Sequence, residues 1–102
     1  DLARGHVKAI DYCRKIKGTD VINLGTGIGY SVLDIVHSFE RVNDIKIPYV
    51  IAPRRPGDID ELYSDPSKAA DILGWKAEYG IEDMCRDSWN WQKNNPDGYQ
   101  KK

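Results

Sequence analysis

The sequence has 102 residues, a mass of 11.6 kDa and a formal net charge of −1, so it is one small domain or part of a larger protein. Its 15 Lys and Arg against 16 Asp and Glu argue against a nucleic-acid-binding domain, because such domains carry a clear basic excess. With 40% hydrophobic and 30% charged residues, and no apolar run near the ~20 residues that span a bilayer, the chain is neither disordered nor a membrane protein.

Apolar periodicity predicts a first helix over residues 2–17, capped by Asp1 and ended by Gly18. The residues predicted to share its apolar face are Leu2, His6, Ala9, Cys13 and Ile16. His6 has no ligand partner at a suitable spacing, so we interpret it as a core or boundary residue.

A short strand is predicted at residues 21–24, followed by a glycine-rich turn at 25–29. A second helix begins near Ser31, where Ser31 and Asp34 have the spacing of a capping box. Residues 47–52 are predicted to form a second strand.

A rigid loop follows at residues 53–58. Asp65 and Pro66 predict the start of a third helix, which Gly74 ends, and a fourth helix is predicted over about 81–94. The predicted fold class is therefore α/β, with about four helices and two short strands.

The glycine-rich turn invites comparison with the dinucleotide-binding fingerprint G-x-G-x-x-G. Gly25 and Gly27 match its first two positions, but the third falls on Tyr30, because the last glycine, Gly29, comes one residue early. No acidic residue ends the following strand. We interpret the segment as a tight turn that needs positive φ or close backbone approach.

Motifs of self-sufficient catalysis are missing from the sequence: it has no nucleophile elbow, zinc-protease motif, phosphate loop or Tyr-x-x-x-Lys. Cys13 and Cys85 lack the spacing of a disulfide framework or zinc site, and we expect them to be buried, reduced thiols of a cytoplasmic protein. We predict no catalytic residue, no metal ligand and no cofactor-binding residue in this chain.

The loop at 53–58 is the best candidate for a binding site. Arg54 and Arg55 are flanked by Pro53 and Pro56, which reduce the loop's freedom, and guanidinium groups suit phosphate well. Asp58 can accept hydrogen bonds from sugar hydroxyls. The alternative is a surface loop whose arginines are solvated or paired with acids.

Several longer motifs follow one another along the chain. They are Asn23-Leu24-Gly25-Thr26-Gly27, Ser31-Val32-Leu33, Ala52-Pro53-Arg54-Arg55-Pro56-Gly57-Asp58, Asp65-Pro66-Ser67-Lys68-Ala69, Leu73-Gly74-Trp75, and Trp89-Asn90-Trp91-Gln92 with Asn95-Pro96 and Gly98-Tyr99. In this order they resemble the C-terminal part of the UDP-glucose 4-epimerase family, which belongs to the extended short-chain dehydrogenase/reductases. The resemblance covers essentially the whole chain.

The resemblance implies the small C-terminal lobe of such an enzyme, without its Rossmann domain. Residues 1–102 are then one substrate-binding region, in which 1–30 pack on the Rossmann domain and 31–102 form the substrate lobe. The parent enzyme would use NAD to interconvert UDP-glucose and UDP-galactose by hydride transfer at the sugar C4. We expect no NAD bound to this chain and no turnover by it alone.

Four substrate-binding positions carry over by resemblance. Arg55 corresponds to an arginine at the diphosphate, Asp58 to a carboxylate at the ribose, and Val32 to an apolar residue beside the uracil. A buried helix residue is the alternative for Val32. Leu62 corresponds to a residue lining the sugar pocket, which predicts that the parent enzyme tolerates UDP-N-acetylglucosamine at least weakly.

The expected partners are the UDP-sugar and the Rossmann domain, with no nucleic acid and no membrane. Cut away from that domain, the isolated chain is expected to self-associate, either by edge pairing of the strand at 21–24 or by exchange of the first helix and strand. Two alternatives stay open: a stand-alone, non-catalytic UDP-sugar-binding or interaction module, and another nucleotide-sugar enzyme such as a dehydratase or decarboxylase.

Overall fold

The computed structural model describes residues 1–99 of the chain, and this part contains four helices. The helices are α1 (Leu2–Cys13), α2 (Val32–Asn43), α3 (Ser67–Leu73) and α4 (Ile81–Asn94). None of them is long and apolar enough to cross a membrane.

The chain divides into two compact units. The first comprises Asp1–Gly29 and Ile59–Glu78 and contains α1 and α3. The second comprises residues 30–58 and the described residues from Tyr79 onward, and it contains α2 and α4.

The predicted strands are wrong, and with them the α/β fold class. Neither 21–24 nor 47–52 forms a β-strand within the described residues, which makes this part of the chain all-helical. A strand needs a neighbouring strand to complete its hydrogen-bond ladder. Residues 47–52 find none in the described part of the chain, and Val50 in this segment is 90% exposed.

At residues 21–24, side chains donate hydrogen bonds to backbone carbonyl groups that would pair with a neighbouring strand in a β-sheet. Val21 O accepts a hydrogen bond from Lys68 Nζ at 2.9 Å, and Leu24 O accepts one from Ser64 Oγ at 3.2 Å. These bonds hold the segment in place without a second strand.

Helix α1 is shorter than predicted and ends at Cys13 instead of Lys17. Lys15 N donates to Tyr12 O at 2.9 Å, a three-residue step that tightens the end of the last turn. Gly18, with φ of 92°, lies beyond this end and does not cap the helix.

Helix α1 leaves most of its predicted apolar face exposed within the described part of the chain. Its buried residue is Gly5, whereas Leu2, His6 and Cys13 are exposed. His6 is therefore not a core residue, and its Nδ1 lies 2.8 Å from Leu2 O, one helical turn earlier. Cys13 is not a buried thiol.

Gly5 faces the indole of Trp75, which is only 4% exposed. Trp75 Nε1 donates to Asp1 O at 3.0 Å, so the buried ring has its polar atom satisfied. A Cβ added at Gly5 would lie 2.6 Å from Leu24 Cδ1, which shows how closely the side chains approach the helix there.

The predicted capping box of α2 is confirmed. Ser31 Oγ accepts from Asp34 N at 3.0 Å, and Asp34 Oδ2 accepts from Ser31 N at 2.9 Å. These two bonds satisfy backbone donors that helix formation leaves unpaired. The Ser31 backbone N–H, followed by the Ser31 side chain, lowers the pKa of the Asp34 carboxyl.

Helix α3 begins one residue later than predicted. Pro66 occupies the cap position, and the Asp65 carboxylate accepts from both Ser67 N and Ser67 Oγ, at 2.9 and 2.6 Å. The predicted end is confirmed, since Gly74 has the left-handed conformation with φ of 61°.

Helices α2 and α4 pack together in the second unit. The rings of Phe39 and Trp89 meet edge to face with centroids 6.0 Å apart, and Asn43 Nδ2 donates to Cys85 O at 3.2 Å. Cys85 is buried as predicted, and burial raises the pKa of its thiol.

A polar network joins α1, residue 20 and α3 in the first unit. The Asp20 carboxylate accepts hydrogen bonds from Lys68 Nζ, from Tyr12 Oη at 2.7 Å and from Val21 N at 2.7 Å. These donors, with Lys68 contributing most, lower the pKa of Asp20 to about 2.

The capping box predicts a stability effect at Ser31. Ser31→Ala leaves the Asp34 N–H without its acceptor, so we expect the free energy of unfolding to fall by about 1 kcal/mol. Ser31→Thr keeps an accepting hydroxyl and should lose less. Urea denaturation of the full chain followed by circular dichroism measures both, and equal losses would contradict the capping role.

The Asp20 network predicts a pH dependence. Because the folded pKa lies near 2, below the ordinary value of 3.8, the ionised carboxylate stabilises the fold above about pH 4, and this contribution disappears as the pH falls toward 2. Asp20→Asn should flatten the stability profile in this window. Thermal unfolding at pH 2 to 5 tests this, and parallel profiles for wild type and Asp20→Asn would refute it.

Candidate nucleotide-binding turn

The candidate site begins with a tight turn formed by Arg55, Pro56, Gly57 and Asp58. Asp58 N donates to Arg55 O at 3.1 Å, which closes the turn. Proline at the second position and a glycine with φ of 87° at the third are the pattern of a type II β-turn. The local sequence thus brings Arg55 and Asp58 to the two ends of one turn.

The side chains of these two residues join each other. Arg55 Nε donates to Asp58 Oδ2 at 3.2 Å and Arg55 Nη2 donates to Asp58 Oδ1 at 3.1 Å. Arg55 N also donates to Asp58 Oδ2, at 3.0 Å. The guanidinium, followed by this backbone N–H, lowers the pKa of the Asp58 carboxyl, so Asp58 is ionised at neutral pH.

Both side chains are open to solvent, with 84% of the Arg55 side chain and 36% of the Asp58 side chain exposed. The guanidinium can bind an anion through two parallel N–H groups, and the carboxylate can accept from hydroxyls. The turn therefore offers adjacent groups for phosphate and for sugar.

Val32 is the first residue of α2 and lies in the same unit as the turn. It is 77% exposed, so the alternative that it is a buried helix residue does not hold. An exposed apolar side chain at this position is free to contact a ligand.

Leu62 is 81% exposed and belongs to the first unit, unlike Arg55, Asp58 and Val32, which belong to the second. It contributes little to the core of its own unit. The structure thus joins Arg55 directly to Asp58, while Val32 and Leu62 are present as separate exposed apolar residues.

The glycine-rich turn has a packing function. A Cβ added at Gly25 would lie 2.0 Å from Ser64 Oγ, and one at Gly29 would lie 3.1 Å from Tyr63 Cδ1. Gly27 has φ of 76°. The expected close approach and positive φ are confirmed, since neighbouring side chains fill the space beside this backbone.

An open cavity of about 280 Å³ lies beside α1 and α3 in the first unit. The residues that line it are Lys8, Asp11, Tyr12, Lys15, Ile72 and Leu73. This cavity was not predicted from the sequence, although Lys8, Asp11 and Lys15 have the spacing of one helix face. None of the four predicted site residues lies in it, and the described residues contain no cluster of three or more acidic, His or Cys side chains able to hold a metal.

Comparison with known proteins gives three consistent matches. A family model described as GDP-mannose 4,6 dehydratase matches residues 2–88. The UDP-glucose 4-epimerase of Pasteurella multocida is 59% identical over 99 residues, which are 97% of this chain, and that of Drosophila melanogaster is 52% identical over 104 residues, covering 100% of it.

A solved structure agrees with these matches. The UDP-glucose 4-epimerase of Bifidobacterium longum, in complex with NAD⁺ and UDP, superimposes with a TM-score of 0.86 at 53% identity, over 96% of this chain and 29% of that one. The chain likewise spans about 29% of the length of the Pasteurella relative.

The resemblance to the epimerases is thereby confirmed, in the region that forms their C-terminal part. The chain belongs to the protein family that the GDP-mannose 4,6 dehydratase model describes, and it is similar to the C-terminal part of UDP-glucose 4-epimerases.

Proposed function

We propose that this chain is the C-terminal, UDP-sugar-binding part of a UDP-glucose 4-epimerase, which interconverts UDP-glucose and UDP-galactose. The observation that carries the proposal is the match to the Bifidobacterium longum epimerase in complex with UDP, at 53% identity over 96% of this chain. NAD supplies oxidation and reduction at the sugar in such an enzyme. This chain contributes the groups that hold the nucleotide.

The turn at 55–58 supplies the polar contacts in this proposal. Arg55 binds the diphosphate through its exposed guanidinium, and Asp58 binds the ribose hydroxyls. Val32 lies beside the uracil, and Leu62 lines the sugar pocket. The exposure of all four side chains supports these assignments, since none of them is consumed by the core of its own unit.

The relatives favour an epimerase over the alternatives. The family model carries a dehydratase's description, but the proteins that are 50 to 59% identical to this chain are epimerases. Those relatives contain this region as one part of a longer enzyme, which does not favour a stand-alone module.

The partner in this proposal is the N-terminal Rossmann domain of the same enzyme, on which residues 1–30 pack, with residues 31–102 as the substrate lobe. The exposed apolar side chains of α1 and the segment at 21–24, including Leu2 and Val21, support such a contact. We place the enzyme in the cytoplasm, and self-association of the isolated chain stays a prediction.

Replacing Arg55 tests the proposal. In a chimaera that joins this chain to the preceding part of the Pasteurella multocida epimerase, Arg55→Ala should weaken inhibition by UDP about tenfold or more, because a charge-assisted bond to phosphate is lost. The inhibition constant for UDP and the conversion of UDP-galactose are measured together.

Two further variants serve as controls. Arg55→Lys keeps the positive charge but loses the planar guanidinium that donates two parallel hydrogen bonds. Its UDP affinity should therefore lie between those of wild type and Arg55→Ala. Arg54→Ala removes a neighbouring arginine and should change UDP affinity less. An inactive wild-type chimaera that is folded, or equal effects of the two alanine variants, would count against the proposal.

Leu62 generates a prediction on sugar size. Leu62→Tyr in the same chimaera fills the sugar pocket, so kcat/KM for UDP-N-acetylglucosamine should fall roughly tenfold relative to UDP-glucose. Leu62→Met conserves the volume and should keep the wild-type ratio. A ratio unchanged by tyrosine would show that Leu62 does not limit the pocket.

A further inference from the structure

The side chains of Arg55 and Asp58 bind each other through the same groups that a ligand would contact. The Nε and Nη2 edge of the guanidinium faces both carboxylate oxygens, at 3.2 and 3.1 Å. A phosphate group would use this same two-donor edge. Sugar hydroxyls would in turn need the carboxylate oxygens that Arg55 now contacts.

The backbone of the turn does not depend on these side-chain bonds. Asp58 N donates to Arg55 O, and Arg55 N donates to Asp58 Oδ2, without any part of the guanidinium. Pro56 and the positive φ of Gly57 hold the turn from within. The guanidinium can therefore leave the carboxylate by side-chain rotation alone.

We propose that the Arg55–Asp58 ion pair is an internal competitor of the ligand, so that a nucleoside diphosphate binds by exchange. Phosphate oxygens replace Asp58 on the guanidinium edge, and a ribose hydroxyl replaces Arg55 on the carboxylate. This inference rests on the function proposed for the turn. It adds that the two site residues block one another until the ligand arrives.

The negative charge of Asp58 supports competition between this carboxylate and phosphate for the Arg55 guanidinium. Asp58 is ionised at neutral pH, because Arg55 lowers the pKa of its carboxyl, so phosphate must displace a full negative charge. The pair is exposed, with 84% of the Arg55 side chain open to solvent, and exposed ion pairs are weak. A diphosphate can therefore displace the carboxylate, because it carries more negative charge than one carboxylate.

The test titrates the chimaera described above with two probes, inorganic pyrophosphate and UDP, and follows the binding by NMR chemical shifts. Pyrophosphate needs only Arg55, so Asp58→Asn should tighten its binding about two- to fivefold, the range expected for an exposed pair. UDP also needs a ribose acceptor, so its affinity should gain less or fall. Glu61→Gln removes the same charge three residues further along and should change pyrophosphate binding less.

Three outcomes overturn the exchange. Weaker binding of both probes by Asp58→Asn would mean that Asp58 holds Arg55 in its binding position. Equal effects of Asp58→Asn and Glu61→Gln on pyrophosphate affinity would mean that only the net charge of the chain changes this affinity. In the wild type, a shift of the Arg55 Nε–H resonance with an unmoved Asp58 carboxyl carbon would show that the pair stays closed.

The proposed function is tested separately by the same titration. A wild-type chimaera that is folded but binds neither probe removes the proposed function and the exchange together. Binding of UDP that is lost in Arg55→Ala, combined with any of the three outcomes above, removes the exchange alone.

Discussion

The indole of Trp75 holds the first unit together, because it is buried while its N–H reaches the start of α1. Trp75 Nε1 bonds Asp1 O, and the Asp1 carboxylate accepts from Glu78 N at 3.0 Å, so the start of α1 is tied to the segment after α3. Gly5 lets the ring approach the helix. Trp75 and Ala69 are the buried hydrophobic residues in the described part of this unit, and the indole is the larger of the two side chains.

Helices whose signals are local could be predicted from the sequence, and elements that need a distant partner could not. The α2 cap depends on Ser31 and Asp34, three residues apart, and the α3 end depends on Gly74 alone. The apolar residues at 21–24 and 47–52 indicate segments that are compatible with a β-strand. Whether a sheet forms depends on a neighbouring strand, which the described residues do not provide.

The candidate site shows the same division. The Pro56-Gly57 pair predicts a turn, and the chemistry of Arg55 and Asp58 predicts an anion and a hydroxyl partner. That the turn closes the carboxylate onto the guanidinium follows only from its backbone geometry. Whether Val32 is a ligand contact or a buried helix residue could not be decided from the sequence, and in this chain Val32 is exposed.

Asp20 and Asp58 are both carboxylates whose pKa is lowered by a basic partner, but their ion pairs have different structural roles. Asp20 bonds Lys68, 48 positions away in sequence, so breaking this pair loosens the hold of α3 on the segment after α1. Asp58 bonds Arg55 within a turn that its own backbone closes. The Arg55–Asp58 pair therefore differs from the Asp20–Lys68 pair in that it can open without releasing the backbone of the turn.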